Sequence, residues 1–174
     1  MAFDREELLR KLTLALALNP GMTMTELAVK TGISKASLHR IYATKENLQN
    51  VIVERLKKIP VELGLIIDGA HENYLGDLRD LISVLYKNRA YILFMFRDKI
   101  DDAEWKRCEE KLTDFFREGQ RQGILSSDFT VEMMVYIFSG MSTWMMGLQA
   151  ERDDLSEREV EEIIFKALLN GIKK

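Results

Sequence analysis

Residues 23–48 read TMTELAVKTGISKASLHRIYATKENL. Two short helical segments flank a tight turn at Thr31-Gly32-Ile33. Gly32 stands where the bend requires a positive φ, which glycine adopts without a Cβ clash. Ala28, four residues earlier, is small where the second helix crosses closest, and Leu27, Ile33 and Leu38 are spaced to fill the wedge. Thr23 precedes Glu26 by three residues, the pattern of a capping box that opens the first helix. Ser34 opens the second, with Leu38 and Tyr42 inward, and Thr44 caps a further helix starting Lys45-Glu46-Asn47-Leu48. This order of small residue, glycine and apolar residue is the helix-turn-helix pattern, although any αα-corner wants a similar turn.

Outward from this stretch the chain stays helical in period. Leu8, Leu9, Leu12 and Leu16 predict a helix over residues 4–18, stopped by Asn19-Pro20-Gly21. After Thr44, Leu48, Ile52 and Leu56 form the stripe of a long helix, with a kink or break expected at Pro60 before it resumes through Ile67. Further helices are expected over residues 78–87, 90–96, from Asp101 or Asp102 to about 122, from Asp128 or Thr130 to about 150, and from Ser156 to 169. The chain therefore reads as all-α with about nine helices. A three-helix head, residues 1–50, is joined by the long helix to a C-terminal helical bundle, residues 51–174.

The 174 residues carry 25 Lys/Arg and 28 Asp/Glu, a net charge of −3 that by itself argues against a nucleic-acid partner. The distribution argues the other way. Residues 1–58 hold ten Lys/Arg against six Asp/Glu, a balance of +4, and residues 59–174 hold fifteen against twenty-two, a balance of −7. A basic head on an acidic body is the footprint of a protein that offers one end to an anion. The single cysteine, Cys108, excludes an internal disulfide and suits a reducing compartment. With only two histidines, His39 and His71, far apart in sequence, a transition-metal site is not expected, and His71 reads as an ordinary surface residue. No phosphate loop, nucleophile elbow or paired catalytic motif occurs, so neither an enzyme nor a cofactor is expected. The opening MAFDREELLRK has no apolar signal core and no long uncharged apolar run follows, so a cytoplasmic protein without a membrane span is expected.

Residues 23–48 resemble the DNA-binding region of the TetR family of bacterial transcriptional regulators. The matching residues are Thr23, Leu27-Ala28, Gly32-Ile33-Ser34-Lys35, Leu38, Tyr42 and Thr44-Lys45-Glu46-Asn47-Leu48, without a gap. The resemblance covers about 45 residues; the remaining 120 or so match in layout only. It departs at His39, where the family usually has a tyrosine that contacts the DNA backbone, and at Ile41, where a histidine or polar residue is frequent. It implies a repressor that binds operator DNA as a homodimer through residues 1–50, with residues 51–174 for effector binding and dimerisation.

The residues themselves support that transfer. Lys35, Ala36, Ser37, His39 and Arg40 lie on the face away from Leu38 and Tyr42. Small side chains at Ala36 and Ser37 let that helix approach base edges in the major groove. Thr44 and Lys45 stand at a helix N-terminus suited to a phosphate, and Thr23 at another. Lys35, Ser37 and Arg40 are thus candidates for reading sequence, and Thr44 and Lys45 for positioning.

The segment after residue 130 is apolar on almost every side, which requires cover on more than one face. A four-helix dimer interface is expected there, with Trp144, Met145 and Leu148 from this helix and Ile164 and Leu168 from the last. Phe94, Trp105, Phe116, Tyr136 and Met141 are candidates to line a pocket for an unknown small apolar ligand, although core is the commoner fate of such residues. Two other readings stay open: a dimeric DNA-binding protein without an effector, and a helical enzyme or carrier.

Overall fold

The computed structural model describes residues 4–98, 100, 103–152 and 154–172. Ten helices occur among the described residues: α1 (Arg5–Leu18), α2 (Met24–Thr31), α3 (Lys35–Tyr42), α4 (Lys45–Leu56), α5 (Ile59–Ile67), α6 (Tyr74–Lys87), α7 (Arg89–Asp98), α8 (Ala103–Arg121), α9 (Val131–Ala150) and α10 (Glu157–Ile172). The all-α expectation holds. Of the expected caps, Thr130 receives Met133 N–H at the start of α9, while Asp101 and Asp102 lie outside the described residues.

The count exceeds nine because the long fourth helix is two. α4 ends at Leu56 with Lys57 as its C-cap, and the Lys58 amide turns back three residues to the Arg55 carbonyl. Pro60 then sits in the first turn of α5. Its missing N–H is harmless there, because a first-turn amide has no partner within the helix anyway. The break therefore precedes the proline, and no single helix runs from Thr44 to Ile67.

The chain forms two compact units: residues 1–58 with 90–100, and residues 59–89 with 101–174. The first, the head unit, extends past residue 50 because Ile52 and Leu56 are buried on the same stripe of α4 as Leu48. Its core continues through Leu8, Leu12 and Leu16 of α1, Leu27 and Ala28 of α2, and Leu38 of α3. Nearly all of α7 also belongs to it. Arg97 donates to the Leu16 carbonyl at the end of α1, and the Arg55 guanidinium lies over the Tyr91 ring, 5.3 Å from its centroid, while bonding Glu6. Burial pushes the Tyr91 hydroxyl up to about 12.

The second, the body unit, is built from α5, α6, α8, α9 and α10. A chain of rings fills its interior. Tyr74 stacks on Phe115 at 4.4 Å between centroids, Phe115 meets Phe116 edge-on, and Phe116 meets Phe138 in the same way at 5.6 Å. His71, expected on the surface, is instead largely covered. Its Nδ1 lies 2.9 Å from Asp77 and its ring stands edge-on to Phe115 at 4.9 Å. It belongs to a non-periodic turn after α5, where φ is +52°, and periodicity carries no burial signal in such a turn. Cys108 is buried, and desolvation pushes its thiol up to about 11, so it stays protonated at neutral pH.

Candidate nucleic-acid interface

α2 opens with the expected capping box. The Thr23 side chain accepts from Glu26 N–H, and the Glu26 carboxylate receives both the Thr23 amide, at 2.7 Å, and the Thr23 hydroxyl, at 2.8 Å. These bonds hold the Glu26 carboxyl below the usual carboxylate range. They also place a negative charge at the helix N-terminus where Thr23 was expected to meet a phosphate.

The turn after α2 has the required geometry. Gly32 lies in the left-handed region at φ +73° and ψ +26°, and the Ile33 amide bonds back to the Ala28 carbonyl at 3.0 Å. A Cβ at Gly32 would meet nothing within 4 Å, so backbone conformation alone requires glycine here. Gly32→Val should therefore lower the stability of the head by about 2 kcal/mol, read as a lower thermal midpoint. An unchanged midpoint would show that the turn tolerates a β-branched residue.

α3 then starts at Ser34, whose hydroxyl accepts from Ser37 N–H at 3.0 Å and donates to the Ser37 hydroxyl at 2.9 Å. Leu38 and Tyr42 are buried, which turns Lys35, Ala36, His39 and Arg40 outward; all four are exposed, and Ser37 is half-buried at their edge. Lys35 and His39, like Ala36 and Arg40, are one turn apart, so the four make one face. α3 ends at Ala43 with φ +57°, an uncommon conformation for alanine, and its carbonyl lies 2.9 Å from His39 Nδ1.

Beyond that corner Thr44 caps α4 by accepting from Asn47 N–H at 3.1 Å. The Lys45 ammonium reaches back to the Pro20 carbonyl at 2.7 Å, a bond across 25 residues. It is held by the stop after α1, with two of its three N–H groups left for other acceptors. Thr44, Lys45 and the α3 face therefore share the head unit, and no sequence spacing predicted the Pro20 contact that sets the lysine's direction.

Known proteins give this geometry its context. No family model matches the chain. It is 29% identical over 141 residues to the HTH-type transcriptional regulator NfxB of Pseudomonas aeruginosa, covering 76% of this chain and 75% of that protein. The structure of the TetR family transcriptional regulator PfmR from Thermus thermophilus superposes with a TM-score of 0.64 at 19% identity, over the whole of both chains. The chain has the fold of a TetR family regulator. A second superposition is on AibR, solved in complex with isovaleryl coenzyme A and operator DNA, with a TM-score of 0.63 at 17% identity, covering 93% of this chain and 96% of that one.

The remaining sequence-based candidates divide by unit. Phe94 is buried in the head unit. Trp105, Phe116, Tyr136 and Met141 belong to the body unit, where Phe116 is interior and Tyr136 lies outside on α9, 71% exposed. Trp144 is 78% exposed and Leu148 is also exposed, with Met145 half-buried. Ile164 and Leu168, expected on the surface of the last helix, are instead fully covered inside the protomer. α10 packs against α6 and α9 through that stripe and turns Ile163 and Ala167 outward. Two stripes one residue apart look alike in sequence; the partner helices choose between them. Among the described residues no group of three His, Cys, Asp or Glu side chains could hold a metal, and no helix is long and apolar enough to cross a membrane.

Proposed function

We propose that this chain is a cytoplasmic, homodimeric transcriptional regulator that represses by binding operator DNA and is released by a small ligand in the body unit. One observation carries the DNA assignment: a left-handed Gly32 turn delivers an outward α3 face of Lys35, Ala36, Ser37, His39 and Arg40 beside Thr44 and Lys45. Groove-reading helices need such a face, small enough to approach and basic enough to stay. The relation to NfxB, a transcriptional regulator by name, agrees with it.

Outward apolar side chains on α9 support the dimer: Met133, Tyr136, Ile137, Trp144 and Leu148 are exposed along one helix, joined by Ile163 of α10. Monomeric proteins rarely leave so continuous a stripe in water. For the effector, four buried polar atoms of the body unit lack a partner: Tyr86 Oη, Arg89 Nε, Trp105 Nε1 and Ser142 Oγ. Buried donors ordinarily find acceptors, so they favour a ligand with an apolar frame and some oxygen, resting near Trp105, Phe116 and Met141.

The test is selection of bound fragments from the source genome, followed by titration of the recovered site. A pseudo-palindrome is expected, with half-sites about one DNA turn, ~34 Å, apart or a multiple of it, and affinity falling steeply with salt. Lys45→Ala should weaken binding to all sequences alike, while Arg40→Ala should change the preferred sequence by about 1–3 kcal/mol at one base position. No fragment held above background at low salt would remove the function, and an unchanged Lys45→Ala affinity would remove that residue from the site.

A further inference from the structure

We infer that His39 makes operator binding depend on proton uptake: its ring is held in one tautomer by Ala43, and Nε2 meets the DNA backbone only when it is protonated. The inference rests on the DNA-binding reading above and deepens it.

A carbonyl oxygen can only accept, so the 2.9 Å contact between His39 Nδ1 and the Ala43 carbonyl fixes the proton on Nδ1. In the neutral ring Nε2 is then a bare lone pair, which repels a phosphate oxygen. In the imidazolium both nitrogens carry protons, and Nε2–H becomes a charged donor to that oxygen. The Nδ1 bond survives in both forms. The α3–α4 corner, where Ala43 holds φ +57°, therefore need not move when the ring gains its proton. The chemical change falls on the exposed edge of α3, among Lys35, Ala36 and Arg40.

The charged groups of α3 and of the two helices packed against it bear on this edge. α3 itself carries Lys35 and Arg40, and of the helices packed against it α2 carries Glu26 and Lys30 and α4 carries Lys45, Glu46, Glu54 and Arg55. Glu26 is engaged by Thr23, Lys45 by the Pro20 carbonyl, and the His39 ring by the Ala43 carbonyl. Duplex phosphates bring dense negative charge to the same edge, which favours the cation over the neutral ring. The sign follows. A site whose proton affinity is raised by DNA contributes to binding when it is protonated, and that contribution is lost as pH rises.

The experiment titrates the selected operator fragment at constant ionic strength at about pH 6 and pH 8. The unmodified protein should bind about tenfold tighter at the lower pH, about threefold for each protomer's exposed contact. His39→Arg, a permanent cation, should lose that pH dependence and bind tightly at both values. His71→Gln should keep the dependence, which separates His39 from the other histidine. In the free protein, nitrogen NMR of the imidazole should report the Nδ1–H tautomer for His39, with His71→Gln supplying the assignment. A flat profile for the unmodified protein, a reversed slope that makes Nε2 an acceptor from a base, or an Nε2–H tautomer would each overturn the inference while leaving DNA binding in place. Absence of binding by every protein at both pH values would instead bring down the DNA-binding reading and this inference with it.

Discussion

Trp144→Glu should convert the proposed dimer to monomer and lower operator affinity by about 10²–10⁴-fold, because two half-sites are no longer held by one linked molecule. Trp144 is 78% exposed on α9, on the side where Met133, Tyr136, Ile137 and Leu148 are also exposed. Their spacing of three, four and seven residues places them along one face, and covering that face with its copy removes it from water. A carboxylate within such an interface would be buried without a partner, which costs far more than the lost ring contacts. The fold itself should survive, since nothing in the protomer's core depends on a side chain so exposed. Sedimentation equilibrium with an operator titration decides it. A Trp144→Glu protein that stays dimeric and binds with unchanged affinity would place the interface elsewhere, and a monomer for the unmodified chain would remove the dimer.

The second large effect lies inside the body unit, at Gly119. A Cβ there would stand 2.5 Å from Cζ and Oη of Tyr74 and 2.8 Å from Cδ1 of Leu125. Such a contact forces a shift, and Tyr74 has nowhere to go. Its ring is 2% exposed, stacks on Phe115 at 4.4 Å, and donates its hydroxyl to the Phe115 carbonyl at 3.2 Å. Gly119→Val should therefore destabilise the protein by roughly 3 kcal/mol, lowering Tm by about 10 °C. Gly64→Val makes the contrast: its nearest neighbour would be an Asp68 oxygen at 3.9 Å, ordinary contact distance, so its Tm should change little. Equal effects of the two substitutions would show that the close approach at Gly119 is not what constrains that position.

The two sites differ in how they are written into the chain. Helix-turn-helix geometry was legible because every requirement is local. A capping residue, a left-handed glycine and a small residue four positions earlier act within ten residues of one another, and Thr23, Gly32 and Ala28 stand where those requirements fall. The outward face of α3 follows from its buried Leu38 and Tyr42 by helical period alone. The α4–α5 break was half legible. A proline marks trouble for a helix, but whether it ends one or begins the next depends on which amides are already without partners.

By itself, then, the sequence determined the all-α class, the helix-turn-helix with its exposed face, and the basic charge of residues 1–58. Each depends on neighbours in the chain or on a simple count. Tertiary structure alone decided that Lys45 leans on Pro20, that α7 is fastened to α1 and α4 through Arg97 and Arg55, and that Gly119 lies against Tyr74. It also decided that α10 buries Ile164 and Leu168 and leaves Ile163 outside. These contacts join residues 25 or more apart, and an apolar stripe states only that a face must be covered. Which helix covers it is set by how all the faces of the bundle are satisfied at once, a condition no local pattern contains.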